Sequence, residues 1–229
     1  MWAESYNGLV PDWRVRLLVA TTNTGKIREI RQVLADVPVQ LVTLADVPPV
    51  TEPEETGRTF AANAELKARY YAGVSGLPTV AEDSGLVIDA IDGRPGVESA
   101  RYPGATYADK FANLYRELAP HQRPWPARFV CSLCFVATGQ WPAASPVASG
   151  QQPVVPRVLF TVEATVEGEI APGPRGSNGF GYDPIFYFPP YGATLGEVDD
   201  ARKLAVAHRG KAFRAFREWL LNESMRVSG

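Results

Sequence analysis

Four carboxylates stand where they could meet a metal ion or take a proton: Glu54 and Glu55 in an acidic stretch, and Glu82 and Asp83 in the polar quartet Glu82-Asp-Ser-Gly85. Magnesium takes hard oxygen ligands, usually one or two carboxylates, with substrate phosphates and water completing its octahedron. Asp83, held between apolar segments, is better anchored than any loop residue to accept a proton from an attacking water. Glu54 and Glu55 read equally well as a solvated acidic patch.

A second group suits phosphate. Thr21, Thr22, Asn23, Thr24, Gly25 and Lys26 follow an apolar run and precede a helical pattern. A loop at that position presents free backbone N–H groups and the positive end of a helix dipole, and Lys26 adds a point charge. It is not a P-loop, because the first glycine of that motif is absent and Ile27 replaces its metal-binding hydroxyl. An ordinary polar turn with a solvated lysine is the competing reading.

Two further groups suit a base and sugar. In Ser177-Asn-Gly-Phe-Gly-Tyr-Asp-Pro184, glycines such as Gly181 allow close backbone approach, Phe180 and Tyr182 offer flat faces, and Asp183 can accept from ribose or base N–H groups. The same pattern fits a tight turn with core aromatics. Lys203, His208 and Arg209 lie at the start of the last helical segment, where His208 and Arg209 can donate to the 6-oxo oxygen of hypoxanthine or xanthine. The 6-amino group of adenine is itself a donor and would be rejected. Exposed cations at a helix start are the alternative.

The elements that must position these groups follow from periodicity. Val15 to Ala20 and Val39 to Leu44 read as strands, with a helix between them marked by Ile27, Ile30, Val33 and Leu34. Asp46 to Gly57 reads as a loop, and Phe60, Ala64, Ala68 and Tyr71 mark one helix face ending near Gly73 and Gly76. Pro78 to Ala81 and Leu86 to Ile91 predict two short strands with the polar quartet as a turn between them. Ala108 to Leu118 predicts a helix, Phe129 to Val136 and Val158 to Val166 predict strands, and Lys211 to Leu220 is the heart of a final helix. Gly139 to Pro156, rich in Pro, Ala, Ser and Gln, has too little apolar content to pack and is expected to be an exposed loop. Strands and helices mixed without strict alternation predict an α/β or α+β fold with a curved central sheet.

Composition excludes several classes. With 229 residues, 45% of them hydrophobic and 21% charged, the chain can bury a substantial core. A net charge of -2 with no basic run leaves no footprint for nucleic acid. Met1 to Trp13 carries Glu4 and Asp12 and has no signal-peptide or membrane-spanning run, so the expected location is the cytoplasm. Cys131 and Cys134 have CxxC spacing but sit in a strand-like run that sends residues three apart to opposite faces. Two core thiols fit that alternation better than a redox pair or half a zinc site.

Seven segments in register resemble the inosine triphosphate pyrophosphatase family over about Arg16 to Leu220. They are Thr21-Thr-Asn-Thr-Gly-Lys26, Glu55-Thr-Gly, Ala62-Asn-Ala-Glu-Leu-Lys-Ala-Arg69, Glu82-Asp-Ser-Gly-Leu86, Pro95-Gly-Val-Glu-Ser-Ala-Arg-Tyr102, Gly179-Phe-Gly-Tyr-Asp-Pro184 and His208-Arg-Gly-Lys-Ala212. The resemblance implies hydrolysis of ITP, dITP and XTP to the monophosphate and pyrophosphate by an elongated α/β fold, two lobes around a nucleotide cleft, usually as a homodimer. On that basis 14–229 forms the domain, preceded by an extension at 1–13 and carrying an inserted loop at about 139–156.

The resemblance places phosphate on Thr21 to Lys26, magnesium and proton transfer on Asp83, a second acidic contribution on Glu55 or Glu54, and Ser84 beside the substrate. Phe180 to Asp183 would frame base and sugar, with Lys203, His208 and Arg209 completing recognition. The chain departs from the family at Glu82, where an aspartate is usual, and at Ala207, where a serine would cap the next helix. The mechanism expected is in-line attack of a water activated by magnesium and Asp83 on the α-phosphorus, with Lys26 neutralising developing charge. A Maf-like pyrophosphatase for modified pyrimidine nucleotides and a non-catalytic nucleotide-binding module are the alternatives.

Overall fold

The computed structural model describes residues 15–138, 141 and 155–227. The extension at 1–13 and most of the loop at 139–156 lie outside those residues.

The first half builds a parallel edge. Strand β1 (Val15–Val19) leads into helix α1 (Thr24–Val33), strand β2 (Val39–Thr43), helix α2 (Phe60–Ser75) and strand β3 (Thr79–Ile88). Parallel pairing of β1 with both β2 and β3 requires crossovers, which the two helices supply. Each helix starts on a side-chain cap: Asn23 Oδ1 accepts from the Lys26 N–H, and Thr59 Oγ1 accepts from the Ala62 N–H. Helix α2 ends at Gly76, which takes the left-handed conformation at φ 67°.

The second half is antiparallel. Helix α3 (Tyr107–Leu118) precedes the long strands β4 (Pro126–Ala137) and β5 (Arg157–Ile170), then β6 (Phe186–Phe188), β7 (Ala193–Thr194), helix α4 (Asp200–Val206) and helix α5 (His208–Val227). The sheet order is β2-β1-β3-β4-β5-β6-β7, a mixed sheet with flanking helices, as expected for an α/β chain.

Two expectations change. Glu82 to Gly85 form no turn between two strands; they are the middle of one ten-residue strand, laddered to β4 from Thr79↔Val136 to Ile88↔Ala127. Their polar side chains look turn-forming only when the partners that satisfy them elsewhere in the fold are unknown. Trp141, inside the segment expected to be too polar to pack, stands edge-on to Phe135 with ring centroids 4.8 Å apart.

Three buried clusters hold these elements. On one face, Leu17, Val19, Leu133 and Phe135 meet Ile30 and Leu34 of α1 and Phe213, Phe216 and Leu220 of α5. On the other, Leu18, Val42, Ala81 and Val136 meet Ala64, Ala68 and Tyr71 of α2. Cys131 belongs to the first cluster and Cys134 to the second, so the two thiols do lie on opposite faces, both free and buried. The far ends of β3, β4 and β5 carry Leu86, Ile88, Phe129 and Val166 into a third cluster with Leu114 and Leu118 of α3 and with Phe186. The polar quartet therefore sits where the first two clusters end and the third begins.

Phe135 is fully buried, with Phe216 and Trp219 at 5.2 and 5.5 Å between ring centroids. Phe135→Ala is expected to lower unfolding free energy by about 3–5 kcal/mol, through lost transfer energy and a cavity the rigid sheet cannot close. A urea titration checks this; a loss under ~1 kcal/mol would mean that the cluster collapses around the gap.

Candidate active site

Strand alternation divides the quartet between the two faces of the sheet. Glu82 and Ser84 stand opposite Leu133 and Cys131, on the face covered by α1 and α5; Asp83 stands opposite Ser132, on the face covered by α2. Each set meets its own cations.

On the α2 face, Lys67 Nζ donates to Asp83 Oδ1 (3.1 Å) and Glu55 Oε1 (2.5 Å). Asn63, one helical turn earlier, donates from Nδ2 to Asp83 Oδ2 (3.2 Å), while its Oδ1 accepts from the Gly57 N–H (2.8 Å). Helix α2 thereby fixes both the catalytic candidate and the acidic loop. Burial raises the proton affinity of Asp83 above that of an ordinary aspartate, Lys67 opposes the shift, and Glu55 adds to it. For a group asked to accept a proton, that shift is in the useful direction.

On the opposite face Glu82 is buried and takes Lys26 Nζ at 2.7 Å and Arg209 Nε at 3.2 Å. Burial opposes its ionisation, yet Arg209 and Lys26 outweigh that effect and hold the carboxyl well below the usual range. Arg209 also donates to Glu29 Oε2 (2.7 Å) and Ser84 Oγ (2.9 Å). Lys203 joins Glu29 Oε1 (3.0 Å) to Asp183 Oδ2 (2.6 Å), and Asp183 Oδ2 further accepts from the Phe180 N–H (2.7 Å). Lys203 and Arg209 are almost fully buried, so the reading of exposed cations at a helix start does not hold.

A cleft of about 290 Å³ opens onto both groups. Thr21, Thr22, Asn23, Lys26, Glu55, Asp83, Ser84, Phe180, Gly181, Tyr182, Asp183, Lys203, His208 and Arg209 all line it. Thr24 and Gly25 do not; they form the first turn of α1. A Cβ at position 25 would come within 2.8 Å of the Phe180 ring, so this glycine makes room for an aromatic neighbour. Glu54 is exposed and off the cleft, which Glu52 lines instead. Tyr182 is buried, its hydroxyl donating to the Ser99 carbonyl (2.8 Å) and its ring packed edge-on against Tyr107, so it also supports the cleft wall. Asp183 is likewise committed to Lys203 and the Phe180 backbone. Phe180 remains half-buried, with Lys203 Nζ 4.2 Å from its ring centroid.

Glu29, Asn63, Lys67, Arg101 and Tyr107 were not foreseen as site residues. Asn63 and Lys67 fall in the segment Ala62 to Arg69, and their spacing of four on one helix face is the sequence signal of a shared role. Glu29 gave none, since a glutamate in an amphipathic helix is ordinarily solvated.

Among the described residues no three or more His, Cys, Asp or Glu side chains converge as a metal site. A cation that takes most of its ligands from phosphate and water needs no such cluster. Asp83 and Glu55, both on Lys67, are carboxylates that fit; Glu82 holds Lys26 and Arg209 through Oε1.

His208 opens α5 without a capping hydroxyl before it. It is buried, stacked on Phe129 at 4.9 Å, and its Nδ1 has no hydrogen-bond partner among the described residues. Burial, reinforced by Arg209, lowers its pKa well below the ordinary value, so the ring is neutral. An unfolded histidine takes up its proton near pH 6.5, whereas the folded chain resists doing so until a lower pH. The stability due to this site is thus complete above about pH 6.5 and falls as pH drops from there toward the folded pKa, by up to ~1.4 kcal/mol per pH unit. Between pH 7 and 5.5, urea unfolding should show a steeper loss for the wild type than for His208→Gln; parallel curves would refute a neutral buried imidazole.

Comparison with known proteins shows the family of the chain. The chain is 41% identical over 209 residues to a dITP/XTP pyrophosphatase of Geobacter sulfurreducens, covering 90% of this chain and 96% of that one. It is 38% identical over 218 residues to a dITP/XTP pyrophosphatase of Listeria monocytogenes, at 93% and 98% coverage. Among solved structures, a HAM1 protein from Coxiella burnetii superposes with a TM-score of 0.76 at 35% identity, covering 91% of this chain and 99% of that one. The Ham1 family model matches residues 17–219, and the chain belongs to the Ham1 family.

Proposed function

We propose that the chain hydrolyses non-standard purine nucleoside triphosphates, ITP, dITP and XTP, to the monophosphate and pyrophosphate. The observation that carries this reading is the unpartnered Nδ1 of neutral, buried His208 on the cleft wall next to Arg209. A buried polar atom without a partner costs free energy that a ligand can return. Arg209 can only donate, and with its proton on Nδ1 the neutral His208 donates too, so the pair suits a 6-oxo acceptor and leaves the 6-amino group of adenine facing donors. Phe180 supplies an apolar face beside them.

The phosphates lie toward the quartet. Lys26 projects from the start of α1, where the helix dipole already favours an anion. Magnesium, held by Asp83 and Glu55, would polarise a phosphate oxygen and offset its charge. Asp83, raised in proton affinity, accepts the proton of the water that attacks the α-phosphorus. Lys67 keeps that carboxylate aimed through Oδ1, and Asn63 through Oδ2. Lys26 offsets charge developing on the phosphate oxygens.

We read 14–229 as one domain of two lobes, with the active form a homodimer acting on the cytoplasmic nucleotide pool. Among the described residues no helix is long and apolar enough to cross a membrane.

Pyrophosphate release should be measured with magnesium and ITP, XTP, GTP, ATP or a modified pyrimidine triphosphate. Fast release from ITP and XTP alone is expected; release only from the pyrimidine would favour the Maf-like alternative, and binding without release a non-catalytic module. Asp83→Asn keeps shape and hydrogen-bonding capacity but cannot take a proton, and should lower kcat by at least about 10²-fold with little change in urea midpoint. Near wild-type turnover would remove Asp83 from its role.

A further inference from the structure

Of the cations lining the cleft, four are held in its wall and one stands at its mouth. The Lys67, Lys203 and Arg209 side chains are nearly inaccessible, each between two carboxylates, and Lys26 is pinned to buried Glu82. The Arg101 side chain is 47% exposed. Its Nη1 donates to Glu55 Oε2 (2.9 Å), and its Nε donates to Glu98 Oε2 (3.1 Å). Glu55 thus joins two cations of unlike freedom: Lys67 in the wall on Oε1 and Arg101 at the rim on Oε2.

We propose that Arg101 is a phosphate arm. It rests on Glu55 and Glu98 when no nucleotide is bound and moves onto the β- and γ-phosphates when a triphosphate enters, then holds the pyrophosphate as it leaves. This inference rests on the pyrophosphatase reading above and adds to it the residue that recognises the leaving group.

Three observations carry it. Half-exposed ion pairs contribute little net stability, so the guanidinium can exchange them for phosphate at small cost, which Lys203 and Arg209 cannot do. A guanidinium binds phosphate through two parallel N–H donors, as it does a carboxylate, so the resting contacts and the proposed ones use the same fork. Position selects the phosphates: Asp83 serves the α-phosphorus, and Arg101 lies one carboxylate further out along the chain Asp83, Lys67, Glu55, Arg101. Arg101 belongs to the segment Pro95 to Tyr102, which carried the resemblance but acquired no role in base recognition or proton transfer.

The test separates the two halves of the substrate. Titration calorimetry with magnesium pyrophosphate and, separately, with IMP is to be run on wild type, Arg101→Gln, Arg101→Lys and Glu98→Gln, alongside KM for ITP. Arg101→Gln should weaken pyrophosphate binding and raise KM by about tenfold or more, the loss of charge-assisted bonds to phosphate, while IMP binding stays within about twofold. Arg101→Lys should recover part of the loss. Glu98→Gln removes a competing resting contact and should tighten pyrophosphate binding.

If Arg101 only steadied Glu55, Arg101→Gln would weaken pyrophosphate and IMP together, or neither, and Glu98→Gln would not tighten pyrophosphate; either result overturns the proposal. Should the wild type release no pyrophosphate from ITP while the binding pattern holds, the pyrophosphatase reading fails and the phosphate arm stands.

Discussion

Glu82 is a carboxylate at the centre of a sheet, and removing such a charge from water costs several kcal/mol unless cations and hydrogen bonds replace the solvent. Lys26 from the start of α1 and Arg209 from the start of α5 replace it, with the Cys131 thiol donating at 3.5 Å. Lys26 and Arg209, 183 residues apart in sequence, are thereby drawn to one strand position, and both line the cleft. The demand extends outward. Arg209 needs more than one carboxylate and takes Glu29; Glu29 brings Lys203, and Lys203 brings Asp183. Charges alternate along this path from β3 to the glycine-rich loop, and deleting Lys203 would leave Asp183 buried without a cation.

The same constraint explains why Ala207 is tolerated where a capping hydroxyl would be usual. A helix start gains about 1 kcal/mol from such a cap. The start of α5 is instead held by Arg209 in its charged network and by His208 stacked on Phe129. Ala207 is itself buried, where an added hydroxyl would require a partner. The methylene that distinguishes Glu82 from aspartate has a comparable account. The carboxylate reaches a lysine from one helix and an arginine from another, both through Oε1, and in that position it organises cations.

Much of the fold was legible because strand and helix periods are local properties. Val15 to Val19, the α2 face at Phe60, Ala64, Ala68 and Tyr71, and the opposed thiols of β4 all follow from spacing alone. The continuity of β3 through Glu82 to Gly85 was not legible, because residue type speaks for a turn and only the ladder with β4 and the buried cations overrule it. Of the site, residues with a chemical signature were readable: Lys26 after a strand, Asp83 between apolar runs, the His208-Arg209 pair. Glu29 and Lys67 lacked one. Their importance comes from which side chains face them across a fold, and no window of sequence contains that. Tyr182 and Asp183 line the cleft as their pattern suggests, and the fold also uses them to brace Phe180 and the cleft wall.

The two faces of β3 also give the site its division of labour. A strand sends successive side chains in opposite directions, so Asp83 points away from Arg209 and pairs with Lys67 instead. Were Asp83 to share Arg209 with Glu82, the guanidinium would stabilise its ionised form and depress its basicity, as it does for Glu82. Placed on the α2 face, Asp83 meets a lysine already divided between two carboxylates, and burial prevails over that lone cation. One peptide unit thus separates a carboxylate that two cations hold ionised from one whose proton affinity burial raises. The proton acceptor proposed at Asp83 and the base donor proposed at Arg209 therefore lie on opposite faces of the sheet.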